Sequence, residues 1–476
     1  MSRRIEFLLS RQACKGSLML ELVIACIVGS LTLGFGFEIM SGNMQLEKNI
    51  LADQTWLDSF AALFGAASTT PFADHVWSQT VGERGSPNLD DIFFLTSDWQ
   101  NGFGKSTCRL GPDFSALDVF DPVKIATNWS DRFDWQSTTV HPISFSIEAD
   151  SIPTAMDVRG RYIYMTADSA RATSSDFHIL DRHDPAHIIA SLDTGPGLLS
   201  IATAGTLAYV GNSSVTNQLQ IIDISDPTHP FIRSTLKMSG LQSGASADVL
   251  SLAFDFYNGS ARVYLGMVKN VGAELRVIDV SDPDHPQEIG GYEFGSGINS
   301  IAVDHGLVYV ATPASQELTV LSFASSPASS TPPLVGTEVG YFDAPKGSGN
   351  GKHLDLSMEK VFLGRTKGGG DELYVLNAAS TSIQITSLAS TTSFRTGASI
   401  EGIIGRWPVA GIFSASTTAS FEIVQFGATT TFPLGQVLFS ANLLKPVALD
   451  CDDTSFFALV ATSTNPLYQI DIPLKK

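Results

Sequence analysis

Glu21 is the only charged group between Leu18 and Phe37, a stretch built from Leu, Ile, Val, Ala, Gly, Phe and a few small polar residues. A carboxylate inside such an apolar run is costly to place in a bilayer. It is therefore a functional group by default, and it needs a cationic partner. Just ahead of the run lies the junction Gly16-Ser17, preceded by the bases Arg3, Arg4, Arg11 and Lys15. Other reactive groups are sparse. Asp450, Asp452 and Asp453 form the densest acidic cluster and read as a solvated loop end, with calcium binding as the competing use. His187, His229 and His285 each follow an Asp-Pro pair at one offset, Asp184-Pro185, Asp226-Pro227 and Asp282-Pro283. The repeat described below assigns them to separate units, too far apart to share one ion at metal–ligand distances near 2 Å. The chain has no Gly-x-Ser-x-Gly and no His-Glu-x-x-His. No catalytic residue, cofactor or metal ligand is assigned.

The elements that must carry these groups follow from pattern. Ser17 to Met40 is 24 residues, enough for a helix to cross a bilayer. The preceding bases would stay on the cytoplasmic side. Leu46, Ile50, Leu51, Trp56, Leu57, Phe60 and Leu63 continue at helical spacing, which extends the expected helix over 17–67. Residues 68–140 are aromatic-rich and mixed, and read as a small collar. Its aromatics are expected to pack on the helix, a carbohydrate platform being the other use. Of four cysteines, Cys14 precedes the apolar run and Cys26 lies within it. Cys108 and Cys451 remain on the expected extracytoplasmic side, where disulfides persist, and are the candidate pair.

From 141 to 476 the chain repeats. Phe177, Leu219, Leu275, Leu318, Leu373, Phe421 and Leu467 open similar short apolar segments, 42 to 56 residues apart. Each is preceded by another strand, centred on Tyr164, Tyr209, Tyr264, Tyr309, Phe362, Phe413 and Ala458. Further apolar stretches before and after complete a four-strand unit. Seven such units at this period predict a seven-bladed β-propeller, a mainly β fold behind the N-terminal helix. Leu467–Pro473 reads as a third strand with three residues after it. The missing outer strand is expected from His141–Glu148, whose His-Pro resembles His229-Pro230 and His285-Pro286. The Asp-Pro pairs read as turns in which the carboxylate caps following amides. Gly368-Gly-Gly370 reads as a hairpin turn and Ser348–Lys352 as a loop. Ser325–Pro333 and the Ser/Thr runs near 390 and over 415–431 read as surface loops.

Two resemblances add to this. Lys15-Gly-Ser-Leu-Met-Leu-Glu21 resembles the N-terminus of type IV prepilins and type II secretion pseudopilins. That resemblance implies a leader of residues 1–16, cleaved between Gly16 and Ser17 by a prepilin peptidase, with N-methylation at Ser17. It makes Glu21 the fifth mature residue, with a role in assembly. Leu219-Gln-Ile-Ile-Asp-Ile-Ser-Asp-Pro and Leu275-Arg-Val-Ile-Asp-Val-Ser-Asp-Pro resemble the LVIVD repeat family, which implies propeller blades. The net charge is −19, and the leader carries four bases and one acid, so the mature chain would carry −19 − 3 = −22. Such a surface excludes nonspecific nucleic-acid binding. The expected protein is a large minor pilin or pseudopilin, a single-pass membrane protein whose propeller is displayed outside the cell on a filament, at its tip. Its partners would be other pilin subunits, the peptidase, the inner membrane before assembly, and an extracellular protein or glycan ligand. Two alternatives stay open: an anchored extracellular propeller enzyme, hydrolase or lyase, and a signal-anchored surface scaffold.

Overall fold

The computed structural model describes residue 134 and residues 137–471, apart from single residues and short segments, the longest being 242–246, 324–333, 380–384 and 439–445. The expected helix over 17–67 and almost all of the 68–140 collar lie outside the described residues. Among the described residues no helix is long and apolar enough to cross a membrane.

The described strands form seven antiparallel-based sheets arranged as blades. Their first strands are Ser151–Arg159, Leu198–Ala204, Val249–Tyr257, Ser300–Asp304, Gly351–Ser357, Ser399–Arg406 and Pro446–Cys451. Each packs on the first strand of the next blade, and the last packs on the first, so the seven close an inner ring. All seven expected third strands are present, six of them opening at the residue read from the pattern. The seven second-strand centres also fall where the repeat placed them.

The apolar core is divided into seven clusters, each built from two neighbouring blades. Between blades two and three, for example, Tyr209 and Leu219 meet Phe254 and Val263. Every blade therefore buries both faces, which explains why its central strands are apolar throughout rather than alternating. Phe177–Asp181 is buried at all five positions.

Blade seven takes its outer strand from the other end of the chain. Thr139–Pro142 runs antiparallel to Leu467–Asp471, pairing Thr139 with Asp471 and Pro142 with Tyr468. The expected exchange is present, but the strand ends at His141-Pro142 instead of beginning there. Beyond Pro142 the chain continues along blade seven without a regular ladder. Ile143 N–H donates to Leu467 O at 2.9 Å, and Ile147 N–H to Ser463 O at 3.0 Å. Its alternate residues Ile143, Phe145 and Ile147 enter the core between blades seven and one, against Phe457, Leu459, Met156 and Val158. Burial of these three side chains sets the register, and the shared His-Pro dipeptide does not.

Polar side chains stitch the inner ring. Ser200 donates to Val249 O at 2.9 Å, and Ser251 and Ser300 accept from Ile301 and Leu354 N–H at 2.9 and 3.2 Å. Asp157 accepts from Thr203 N–H at 2.6 Å, and Asp355 from Gly405 N–H at 2.7 Å. Asp450 accepts from Val158 N–H at 2.6 Å, across the closing seam. The expectation of a solvated loop end at Asp450 is thus corrected. Asp450 lies in the inner strand, 7% exposed, where a buried carboxylate is tolerated because it is hydrogen-bonded.

Two further corrections concern loops. Ser390–Phe394 is the outer strand of blade five, and Ala419–Phe426 and Thr431–Leu438 are strands of blade six. Threonine is β-branched and suits a half-exposed strand, so hydroxyl-rich runs at a blade edge are strands as readily as loops. In blade one, Asp184-Pro185 opens the outer strand, whereas Asp226-Pro227 and Asp282-Pro283 lie in turns. Blades three and four also carry a fifth, parallel strand, Leu334–Val335 and Thr386–Ser387. Gly290 makes room for the first of these, since a Cβ there would lie 2.0 Å from Leu334 O.

The closing seam yields a direct test. Phe145→Ala should cost about 3 kcal/mol or more in urea unfolding, as for other buried Phe→Ala changes. Phe231→Ala, at a residue 53% exposed on an outer strand, should stay within about 0.5 kcal/mol. Equal, small effects would remove residues 143–147 from ring closure.

Candidate functional site

The two faces of the ring differ in construction. One face carries the turns from third to fourth strands, including Asp226-Pro227 and Asp282-Pro283. There Asp226 accepts Thr228 N–H at 3.0 Å and the Thr228 hydroxyl at 2.6 Å. His229 Nδ1 lies 3.0 Å from Asp226 Oδ2, and His285 Nδ1 lies 2.9 Å from Asp282 Oδ2. The carboxylates of Asp226 and Asp282 therefore cap their own turns as expected, whereas Asp184 opens a strand. Two of the three histidines turn back on those carboxylates, and His187 lies exposed on the outer strand of blade one.

The opposite face carries the connections between blades and those from second to third strands. A repeated device organises it. Asp176, Gln218, Glu274, Glu317 and Glu372 each stand immediately before a third strand and are buried. Their side-chain oxygens accept the N–H groups of Thr194, Met238, Phe294, Ala344 and Thr396, at 2.7 to 3.0 Å. Each oxygen thus clamps the connection to the following blade. An acid or amide directly before the Leu or Phe that opens the third strand of blades one to five is a signal readable in the sequence, though not drawn from the motifs above. In blades four and five Glu317 also pairs with Arg365, itself 1% exposed and lying over the Tyr374 ring at 5.5 Å.

On this face, between blades one and two, lies a cavity of about 470 Å³. It is formed by the connection Thr194–Gly197, the loop 212–217, Asp168 at the end of a blade-one strand, and Gln220. Its walls are held by internal bonds. Gln220 Nε2 donates to Thr194 O at 2.9 Å, and Ser213 N–H donates to Gly197 O at 2.8 Å. Asn212 Oδ1 accepts Ser214 N–H at 2.6 Å. Gly197 has φ of 100°, and a Cβ there would sit 2.2 Å from Ser213 Oγ, so the two loops approach closely only because it is glycine.

Among the described residues, the charged group lining the cavity is acidic. Burial, and then the neighbouring Asp248 carboxylate, hold the Asp168 carboxyl above the usual range. Behind the wall, burial pushes Asp176 up to about 6 despite its bonds from Thr194, and lowers His178 to about 4.

Of the residues singled out in the sequence, Gly16, Ser17, Glu21 and Cys108 lie outside the described residues, as do Asp452 and Asp453. Cys451 ends the inner strand of blade seven, 1% exposed. Its sulfur is engaged in a disulfide whose other cysteine lies outside the described residues. Gly368–Gly370 connects two strands of blade five, as a hairpin reading requires.

Comparison with known proteins agrees with this architecture. The LVIVD repeat matches residues 199–237 and 268–293, which belong to blades two and three. The chain carries LVIVD repeats within a seven-bladed β-propeller. No curated protein matches it. Among solved structures, Raptor from Chaetomium thermophilum is 11% identical with a TM-score of 0.51, over 96% of this chain and 42% of its own. Virginiamycin B lyase from Staphylococcus aureus is 9% identical with a TM-score of 0.50, over 71% of this chain and 100% of its own. The computationally designed Ika8 protein is 11% identical with a TM-score of 0.48, over 70% of this chain and 100% of its own. At these identities the likeness to the two natural proteins is one of fold alone.

Asp176 makes the clamp pH-dependent. A carboxyl whose pKa is raised on folding stabilises the fold below its unfolded value, about 3.9, and that contribution is lost as pH rises through about 6. Asp176→Asn keeps an oxygen for Thr194 and removes the titration. The Tm of the wild type should therefore rise relative to the variant as pH falls from 7 to 4. Taking the difference cancels His178, which is common to both proteins. A constant difference across that range would show that Asp176 does not titrate in the fold.

Proposed function

We propose that this protein is a large minor pilin or pseudopilin whose propeller is a binding module displayed on a type IV pilus or type II secretion-like filament. The observation that carries the reading is the Gly16-Ser17 junction at the head of the apolar run, with Glu21 as the fifth residue after the cut. In this reading the membrane holds the chain before assembly, with the propeller on the extracytoplasmic side. The bulk of residues 141–476 would crowd a subunit repeated along a shaft, which favours the filament tip. The propeller binds and does not catalyse. The cavity between blades one and two supports that part, since its described lining sets a single carboxylate, Asp168, among amides and hydroxyls. An enzyme of the hydrolase or lyase class would need an acid and a base converging there.

Intact-mass measurement on protein from the native cell should find a chain beginning at Ser17. Gly16→Val should block that processing, because a branched side chain does not fit a site that accepts glycine. A native chain still starting at Met1 would remove the pilin reading and leave an anchored scaffold.

Glu21 in the bilayer needs a cation, and the Ser17 amine of a neighbouring subunit supplies one. Glu21→Leu should leave the thermal unfolding of the propeller unchanged and sharply reduce incorporation into filaments. Normal incorporation of this variant would argue equally against the reading.

A further inference from the structure

We infer that the cavity between blades one and two binds a neutral saccharide. The inference names the ligand class of the binding module proposed above and rests on that reading. Four observations carry it. First, the volume of about 470 Å³ lies within the range of small-ligand sites, roughly 300 to 1,000 Å³.

Second, the cavity has an unmet acceptor. Gln220 is 2% exposed, its Nε2 is committed to Thr194 O, and its Oε1 is buried with no hydrogen-bond partner among the described residues. A buried polar atom left in this state costs free energy that a donor from a ligand recovers. Third, the described lining residues include Thr194, Asn212, Ser213, Ser214 and Asn217, and none of them is a lysine or arginine. Hydroxyls and amides both donate and accept, as a polyol requires, whereas an anion would meet the Asp168 carboxylate with no base among the described lining residues. Fourth, Pro196 and Val215 add apolar surface to the lining, with Val215 54% exposed. A sugar ring presents hydroxyls at its edge and C–H groups on its face, which matches this mixed wall. An extended peptide would instead call for a free sheet edge, whereas the strand residues among the described lining, Asp168, Asn212 and Gln220, belong to second and third strands paired on both sides.

The test is saturation-transfer NMR on the full chain in detergent, against neutral mono- and disaccharides of glucose, galactose, mannose and N-acetylglucosamine. At least one should bind, and Gln220→Leu should weaken it about five- to tenfold, the value of one or two hydrogen bonds. Asn217→Ala changes only the half-buried loop and should weaken it similarly with an unchanged Tm, so loss of fold is not mistaken for loss of contact. Absence of any neutral-sugar signal at millimolar concentration would overturn the inference. So would binding that neither variant alters, equal binding of glucuronate or sialic acid, or a peptide that binds with the same variant sensitivity while sugars do not. Chemical conversion of the bound sugar over hours would support the ligand class and sink the non-catalytic reading. A chain found to start at Met1 would leave the cavity's ligand untouched.

Discussion

Every blade of this ring is apolar on both faces, so every blade must be covered twice. That requirement governs the rest of the structure. Six of the seven seams join blades that follow one another along the chain. The seventh joins blade seven to blade one, whose inner strands Pro446–Cys451 and Ser151–Arg159 lie far apart in sequence. Left open, that seam would expose Phe457, Leu459, Met156 and Val158 together. Exchange of Thr139–Pro142 into blade seven ties the seam through the backbone. Ile143, Phe145 and Ile147 fill it, and Asp450 bonds Val158 across it. Closing a ring of this length carries a loop-entropy cost that grows only slowly with loop length, so a few well-buried groups suffice to hold it.

The same repetition creates two unlike faces. Asp226 and Asp282 satisfy their own turns on one of them. On the other, carboxylates and an amide set just before the third strands reach across to hold the connection to the next blade. Holding those connections rigidly costs buried charge, visible in the raised pKa of Asp176 and Glu317. It also leaves defined space between neighbouring loops. The cavity beside Gln220 is such a space, and its polarity is inherited from the residues that frame it.

Blades three and four depart from the pattern by adding a fifth strand at the outer edge. Extra strands cover part of an exposed edge, a recurrent liability of sheets. Gly290 permits the addition, whereas the equivalent place in blade two holds Ser234, which donates to Pro283 O at 2.6 Å. One side chain thus decides whether an edge accepts another strand or bonds the neighbouring turn.

The count of blades, the positions of their second and third strands and the need for a strand from the chain's other end were determined by sequence alone. They follow from periodic apolar segments, and an apolar segment must be buried wherever it lies. The Asp-Pro caps were equally local, since the carboxylate and the amides it bonds are neighbours in the chain. Tertiary structure alone decided the rest. Asp450 looks like part of a solvated acidic cluster until Val158, nearly 300 residues away, is brought to it. His141-Pro142 looks like a strand opening until burial of Ile143, Phe145 and Ile147 sets a different register. Gln220 looks like an ordinary strand residue until Thr194 takes one half of its amide and leaves the other facing a cavity. In each case the deciding partner comes from another blade, and no short-range pattern encodes a contact whose two halves are set side by side only when the ring closes.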